Sequence, residues 1–195
     1  MLLAAGAGRR MGVPKALVTG ADGRAWVERT IEALTRGGCD TVSVVVGAAA
    51  DQVAPLVRAA GAEVVVAQDW ADGMGASLTA GLDELMVGQS AAEAALVMLV
   101  DLPDVGADVI ERVRAGYVDH VGERLGAGVV RASYDQVPGH PVMVGRDHWY
   151  SLASGLGGDR GARDWLAGRD VVLVECGDLA TGNDVDRPAP AVTQE

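Results

Sequence analysis

No apolar run in this sequence is long enough to cross a bilayer. The longest, such as residues 94–100, fall far short of the ~20 residues that a spanning helix needs. The opening Met1-Leu2-Leu3-Ala4-Ala5 has no basic leader and runs straight into glycine, so no signal peptide is expected. Cysteine is nearly absent. Cys39 and Cys176 lie far apart with no second pair, which argues against a disulfide framework or a zinc site. The two thiols read as small buried apolar groups, and a reducing cytoplasm is the expected compartment. Positive charge is also short: 16 Lys and Arg face 27 Asp and Glu, a net charge of −11. That balance argues against a nucleic-acid partner, which selects a basic surface. An anion site in such a chain has to be made locally, by a cluster of cations. Lysine is scarcer still, since Lys15 is the only one. Where arginine is used everywhere else, a single lysine marks a position that wants a compact point charge rather than a planar fork.

What the chain does have is 49% hydrophobic residues over 195 positions, enough for one core. Strand and helix signals alternate. A short strand at 1–5 is followed by a helix at 23–36, with Trp26, Ile31 and Leu34 on one face. A β-branched strand at 41–46 precedes a helix at 51–60, for which Asp51 is the expected N-cap. Further strands are predicted at 63–67, 95–100, 128–134, 141–145 and 171–175, and helices at 77–87, 108–115, 147–153 and 161–167. This alternation predicts a mostly parallel α/β sheet covered on both faces, with ligands beyond the carboxyl ends of its strands. One domain is expected over 1–188, with the Pro/Ala-rich residues 189–195 a frayed tail. The first strand is short before Gly6, which points to a clipped strand or to a start further upstream.

Two predicted strand ends carry unusual chemistry. The first runs Leu3-Ala4-Ala5-Gly6-Ala7-Gly8-Arg9-Arg10-Met11-Gly12-Val13-Pro14-Lys15. Its glycines let backbone N–H groups approach phosphate oxygens, and Arg9, Arg10 and Lys15 supply charge against a triphosphate. Spacing excludes the commoner glycine loops. A dinucleotide fingerprint, and with it a nicotinamide-dependent dehydrogenase, fails because the third glycine falls one place late, at Gly12. A Walker loop fails because Pro14 precedes Lys15 and Ala16 follows it. The second strand end is Asp101-Leu102-Pro103-Asp104. A carboxylate placed there suits a hard cation such as Mg²⁺, whereas Asp104 reads as a turn or cap residue. Near the C-terminus, Asp184 and Asp186 point the same way if the stretch is extended.

The N-terminal loop resembles the signature L-A-x-G-x-x-x-R-M-G-x-x-K of the MobA-like NTP transferase superfamily. The Ala4-Ala5 form with Pro14-Lys15 is similar to its molybdenum cofactor (CTP:molybdopterin) cytidylyltransferase branch. The resemblance implies a three-layer, Rossmann-like (GT-A-like) nucleotidyltransferase fold. It implies that residues 3–8, with Arg10, Met11, Gly12 and Lys15, wrap the nucleotide, and that Arg10 and Lys15 contact its phosphates. Asp101 matches the metal aspartate of the family's D-x-P motif, with Leu102 a departure. Asp184-Val185-Asp186 looks like the D-I-D-T-P segment, with Arg187 in place of threonine, and leaves open which aspartate binds metal. Gly73-Met74-Gly75-Ala76-Ser77-Leu78 resembles a segment lining the base and ribose, which brings in Gly75 and Ser77. Gly139-His140-Pro141-Val142 and Gly158-Asp159-Arg160-Gly161-Ala162-Arg163 resemble the branch's acceptor segments, which brings in Gly139, His140, Asp159 and Arg163.

The implied reaction is attack by an acceptor phosphate on the α-phosphorus of CTP, with loss of pyrophosphate, Mg²⁺ as cofactor, and Arg10, Lys15 and Asp101 as the catalytic groups. The resemblance names molybdopterin as acceptor and a molybdoenzyme as recipient of the product. Alternatives are a sibling transferase acting on a sugar phosphate or another phosphate acceptor, or a non-catalytic nucleotide- or cofactor-binding chaperone.

Overall fold

In the computed structural model, the described residues are 1–88, 91–156 and 162–187. Seven strands form one sheet in the order β3-β2-β1-β4-β6-β5-β7. They are β1 (Leu2–Ala4), β2 (Ser43–Val46), β3 (Glu63–Val66), β4 (Ala94–Leu99), β5 (Val129–Tyr134), β6 (Val137–Gly145) and β7 (Val172–Glu175). β1 pairs parallel with β2 and β4, β2 with β3, and β5 with β7. β6 runs antiparallel to both β4 and β5. The chain thus steps outward from β1 to β3, then returns to place β4 on the other side of β1. The crevice beyond the carboxyl ends of β1 and β4 is the switch point at which open α/β sheets bind ligands.

Side-chain alternation along the strands divides the core in two. Leu2 and Ala4 of β1 face one layer with Val44, Val46 and Met98, covered by helices α1 (Trp26–Arg36), α2 (Ala50–Ala59) and α4 (Ala107–Val121). Leu3 faces the other layer with Val45, Val97, Val142 and Val144, covered by α3 (Met74–Val87), α5 (Trp149–Gly155) and α6 (Arg163–Ala167). Burial of each Leu or Val contributes about 1.5–3 kcal/mol, so these short, fully buried strands are fixed by their layers rather than by their length.

Several boundaries differ from the sequence expectation, each for a local reason. α1 begins at Trp26 rather than Gly23, because Thr19 bridges Ala25 and Gly23 closes that turn by donating to the Gly20 carbonyl at 3.0 Å. The Ala25 N–H then donates to the Glu28 carboxylate at 2.8 Å. Asp51 is not the cap of α2. The helix starts one residue earlier, and Asp51 lies in its first turn, where a negative charge complements the helix dipole. Ser77 sits inside α3, which starts at Met74. α4 runs to Val121 rather than stopping at Ala115. Gly116 does not break it, and its missing Cβ makes room for Val174 of β7, whose Cγ2 would lie 2.6 Å from such an atom. β6 begins at Val137, four residues earlier than predicted, despite Pro138, Gly139 and Pro141. α6 begins at Arg163; Asp159, Gly161 and the tail 189–195 lie outside the described residues. No helix among the described residues is long and apolar enough to cross a membrane.

Candidate active site

The chain leaves β1 at Ala4 and turns through the glycine-rich loop into a short 3-10 helix at Lys15–Leu17. The loop is pinned at one end, where the Ala48 N–H donates to the Ala5 carbonyl at 3.0 Å, and is closed within by the Met11 N–H to the Gly8 carbonyl at 2.9 Å. Gly8 takes φ +61°, and a Cβ there would stand 1.9 Å from the Val13 carbonyl oxygen, so the loop's course requires glycine. Gly6 differs: a Cβ would meet nothing within 4 Å. Its bare backbone opens on a cleft of about 450 Å³.

That cleft is lined by residues 3–8 with Arg9, Arg10 and Lys15 on one side, Trp70, Met74 and Ser77 on another, and Leu99, Asp101 and Asp186 at its mouth. A hollow of about 550 Å³ lies at the opposite rim of the sheet, beside Met1, Ser43 and Ala94. Volume therefore does not single out the first cleft; position at the switch point and chemistry do.

The chemistry centres on Lys15. Its Nζ donates to Asp101 Oδ2 at 2.7 Å and to Asp186 Oδ1 at 2.6 Å, while Arg10 donates to Asp186 Oδ2 at 2.7 Å. Lys15 and Asp101 are mostly shielded, with side chains 18% and 17% exposed, whereas Arg10 is 74% exposed and free to follow a ligand. Burial opposes the charge on Lys15, but its hydrogen bonds to Asp101 and Asp186 outweigh that cost and hold its pKa above the ordinary value. The Lys15 hydrogen bond, then the Lys15 charge, hold the Asp186 carboxyl below its ordinary value. Asp101, Asp184 and Asp186 each bring a carboxylate oxygen to within 4.8 Å of the others. Three hard oxygens at that spacing could hold a small divalent cation, and both C-terminal aspartates belong to the group.

The other predicted residues fall into three groups. Met11 and Gly12 shape the turn behind the loop, Met11 packing toward the core and Gly12 taking φ +72°. Gly75 and Ser77 are both buried in the first turns of α3, and only Ser77 reaches the cleft. Gly139 and His140 lie on β6, away from the cleft lining. There the Gly139 carbonyl accepts from Arg131 Nε at 2.7 Å and the His140 carbonyl from the Tyr134 hydroxyl at 2.6 Å. Burial, then the Arg131 charge, push the His140 imidazole down to about 4. Arg163 is exposed on α6, and its charge acts on Arg131. Leu102, the departure from the motif, is buried in the core beside α1.

Sequence reasoning missed Trp70 and Arg131. Trp70 stands three residues before Gly73 and could have been flagged as a large ring beside the glycine segment. Arg131 lies in the middle of β5 and gave no signal.

Comparison with known proteins agrees with this geometry. Residues 1–173 match the MobA-like NTP transferase domain. Nicotine blue oxidoreductase of Paenarthrobacter nicotinovorans is 36% identical over 199 residues, covering 95% of this chain and 90% of that protein. The crystal structure of a Mycobacterium tuberculosis Rv0371c homologue from Mycobacterium sp. strain JC1 superposes with a TM-score of 0.74 at 30% identity, covering 95% of this chain and 88% of that one. Rv0371c of Mycobacterium tuberculosis H37Rv, in complex with manganese, gives a TM-score of 0.66 at 26% identity, covering 90% and 85%.

Proposed function

The chain belongs to the MobA-like NTP transferase family, and from that premise we propose that it transfers CMP from CTP to the phosphate of molybdopterin, releasing pyrophosphate, with Mg²⁺ as its metal. The observation that carries this reading is the Lys15–Asp101–Asp186 cluster at the mouth of a glycine-lined cleft, with Asp184 beside it.

An acceptor phosphate oxygen attacks the α-phosphorus, the bond to the bridging oxygen of the β-phosphate breaks, and pyrophosphate leaves. Two anions must meet, so the chain's task is positioning and charge neutralisation. Backbone N–H groups around Gly6 and Gly8 cradle the polyphosphate. Arg10 and Lys15 exchange their carboxylate partners for phosphate oxygens and hold the charge that builds on the leaving group. Asp101, Asp184 and Asp186 would hold Mg²⁺, which supplies charge neutralisation at the α-phosphate when bound. A phosphate acceptor is already ionised at neutral pH, so no general base is needed. Trp70, Met74 and Ser77 offer the base and ribose a half-apolar wall.

The choice of CTP and molybdopterin rests on the resemblance of 4–15, 139–142 and 158–163 to the cytidylyltransferase branch. A sibling acting on a sugar phosphate keeps the same loop and metal cluster. A pure nucleotide-binding chaperone would not need three convergent carboxylates. A second reading has one observation in its favour, the 36% identity to a protein named as an oxidoreductase; on that reading the cleft holds the nucleotide part of a redox cofactor. Mixing the protein with CTP, Mg²⁺ and molybdopterin separates these. Pyrophosphate release dependent on both substrates supports the transferase. Its absence, together with reduction of nicotine blue by an added electron donor, would favour the oxidoreductase.

A further inference from the structure

Residues 181–187 form a strap without helix or strand that carries Asp184 and Asp186 past the end of β4. Few described hydrogen bonds tie it to the body. Asp186 accepts from Lys15 and Arg10, the Val185 N–H donates to the Asp101 carbonyl at 3.0 Å, and Thr181 is held by Asp104. The first pair of ties uses the cations that the proposed reaction sends to phosphate oxygens. A strap held only by them would loosen as the nucleotide arrives, when its aspartates are needed.

The Val185 and Thr181 ties have no such conflict, and the Thr181 tie is made by side chains that substitution can remove. One carboxylate oxygen of Asp104 accepts both the Thr181 N–H, at 2.7 Å, and the Thr181 hydroxyl, at 2.6 Å. The Thr181 Oγ in turn accepts the Asn183 N–H at 3.3 Å, which fixes the backbone just before Asp184. At its other end, Asp104 lies in the turn 102–105 that begins at the residue after Asp101 and is closed by the Val105 N–H to the Leu102 carbonyl at 3.2 Å. Asp104 therefore links the two halves of the carboxylate cluster through their own backbones without touching the cluster. We propose that Asp104 and Thr181 form a clasp that positions Asp184 and Asp186 against Asp101 for the divalent metal. Both are positioning residues, and the inference rests on the metal reading of that cluster.

Groups that hold metal ligands in place typically account for roughly 10–100-fold in metal affinity. The test is titration of the nucleotide-free protein with Mn²⁺ alone, followed by loss of the free-ion electron paramagnetic signal. Asp104→Ala and Thr181→Val are expected to weaken Mn²⁺ binding within that range, Thr181→Ser to stay near wild type, and metal-free thermal unfolding to change little in all three. Thr181→Val serves where Asp104→Ala does not fold. Wild-type Mn²⁺ affinity in Asp104→Ala or Thr181→Val overturns the clasp and leaves the metal reading standing. Failure to bind Mn²⁺ both in the wild-type chain and in Lys15→Met, which lacks the competing cation, overturns the metal reading, and the clasp with it.

Discussion

Lys15 Nζ lies 2.7 Å from Asp101 Oδ2 although 86 positions separate the two residues. The only lysine in the chain thus bridges the carboxylates proposed to hold metal. On the proposed reading, metal and lysine compete for the same oxygens until a triphosphate draws the lysine away.

Removal of that competitor should have opposite effects on the two ligands. Lys15→Met is expected to lower triphosphate affinity by about 1.5–3 kcal/mol, the worth of a charge-assisted hydrogen bond, roughly 10–150-fold. The same variant should bind Mn²⁺ alone more tightly than wild type, because Asp101 and Asp186 lose their counter-charge. Calorimetric titration checks both, and unchanged affinity for CTP removes Lys15 from the phosphate site.

The two loop glycines should separate fold from function. In Gly6→Ala the new methyl meets no protein atom and enters the cleft, so thermal stability should hold while CTP affinity drops. In Gly8→Ala the methyl runs into the Val13 carbonyl at a positive φ, a strain on the order of 1–3 kcal/mol that shifts the loop itself. Equal losses of stability in the two variants would contradict this assignment.

Asp101→Ala is expected to abolish pyrophosphate release, at saturating metal as well. Asp101→Asn keeps the shape and loses the charge, and should be nearly as slow. Near-wild-type rates in either variant would remove Asp101 from the metal site.

Much of this was legible in the sequence, and the limits have physical causes. Lys15 and Asp101 stood out because each follows a predicted strand, where α/β sheets bind ligands, and because Lys15 has no other lysine beside it. The Lys15–Asp186 contact was not legible, since it spans 171 positions and nothing local encodes it. The expected end of the helix at Ala115 reflects local propensity, whereas what tolerates Gly116 inside α4, the approach of Val174, is tertiary. Pro138 and Gly139 hid the first half of β6 in the same way. Asp104 was expected to serve a turn, and only its partner Thr181, distant in sequence, shows which segment it holds.

The pH dependence follows from the same ion pairs. The Lys15 hydrogen bond and charge hold Asp186 below its ordinary 3.8, so its contribution is complete above that value and is lost as pH falls through the lowered one. Lys15 is held above 10.5 despite its burial, so its contribution is complete below that value and is lost as pH rises through the raised one. Hydrogen exchange of the Val185 amide should therefore show constant protection, after correction for intrinsic rates, between those limits. A break near neutral pH would contradict the pairing. Because the Asp186 side chain is 41% exposed, the acid-side change should be small.

His140 should titrate far from its ordinary value. Burial, then Arg131, lower it from 6.5 to about 4. The unfolded chain therefore takes up this proton first, and the fold loses stability progressively as pH drops from 6.5 toward 4. A proton NMR titration of the imidazole with a midpoint near 6.5 would show that the ring is open to water.

The turn after β1 is proposed to grip the polyphosphate. A crystal structure with CTP and Mg²⁺ tests it most directly. The expected result places the triphosphate over Gly6 and Gly8, with Lys15 moved from Asp186 onto a phosphate oxygen. A triphosphate bound elsewhere, with Lys15 still bridging Asp101 and Asp186, would rule that grip out.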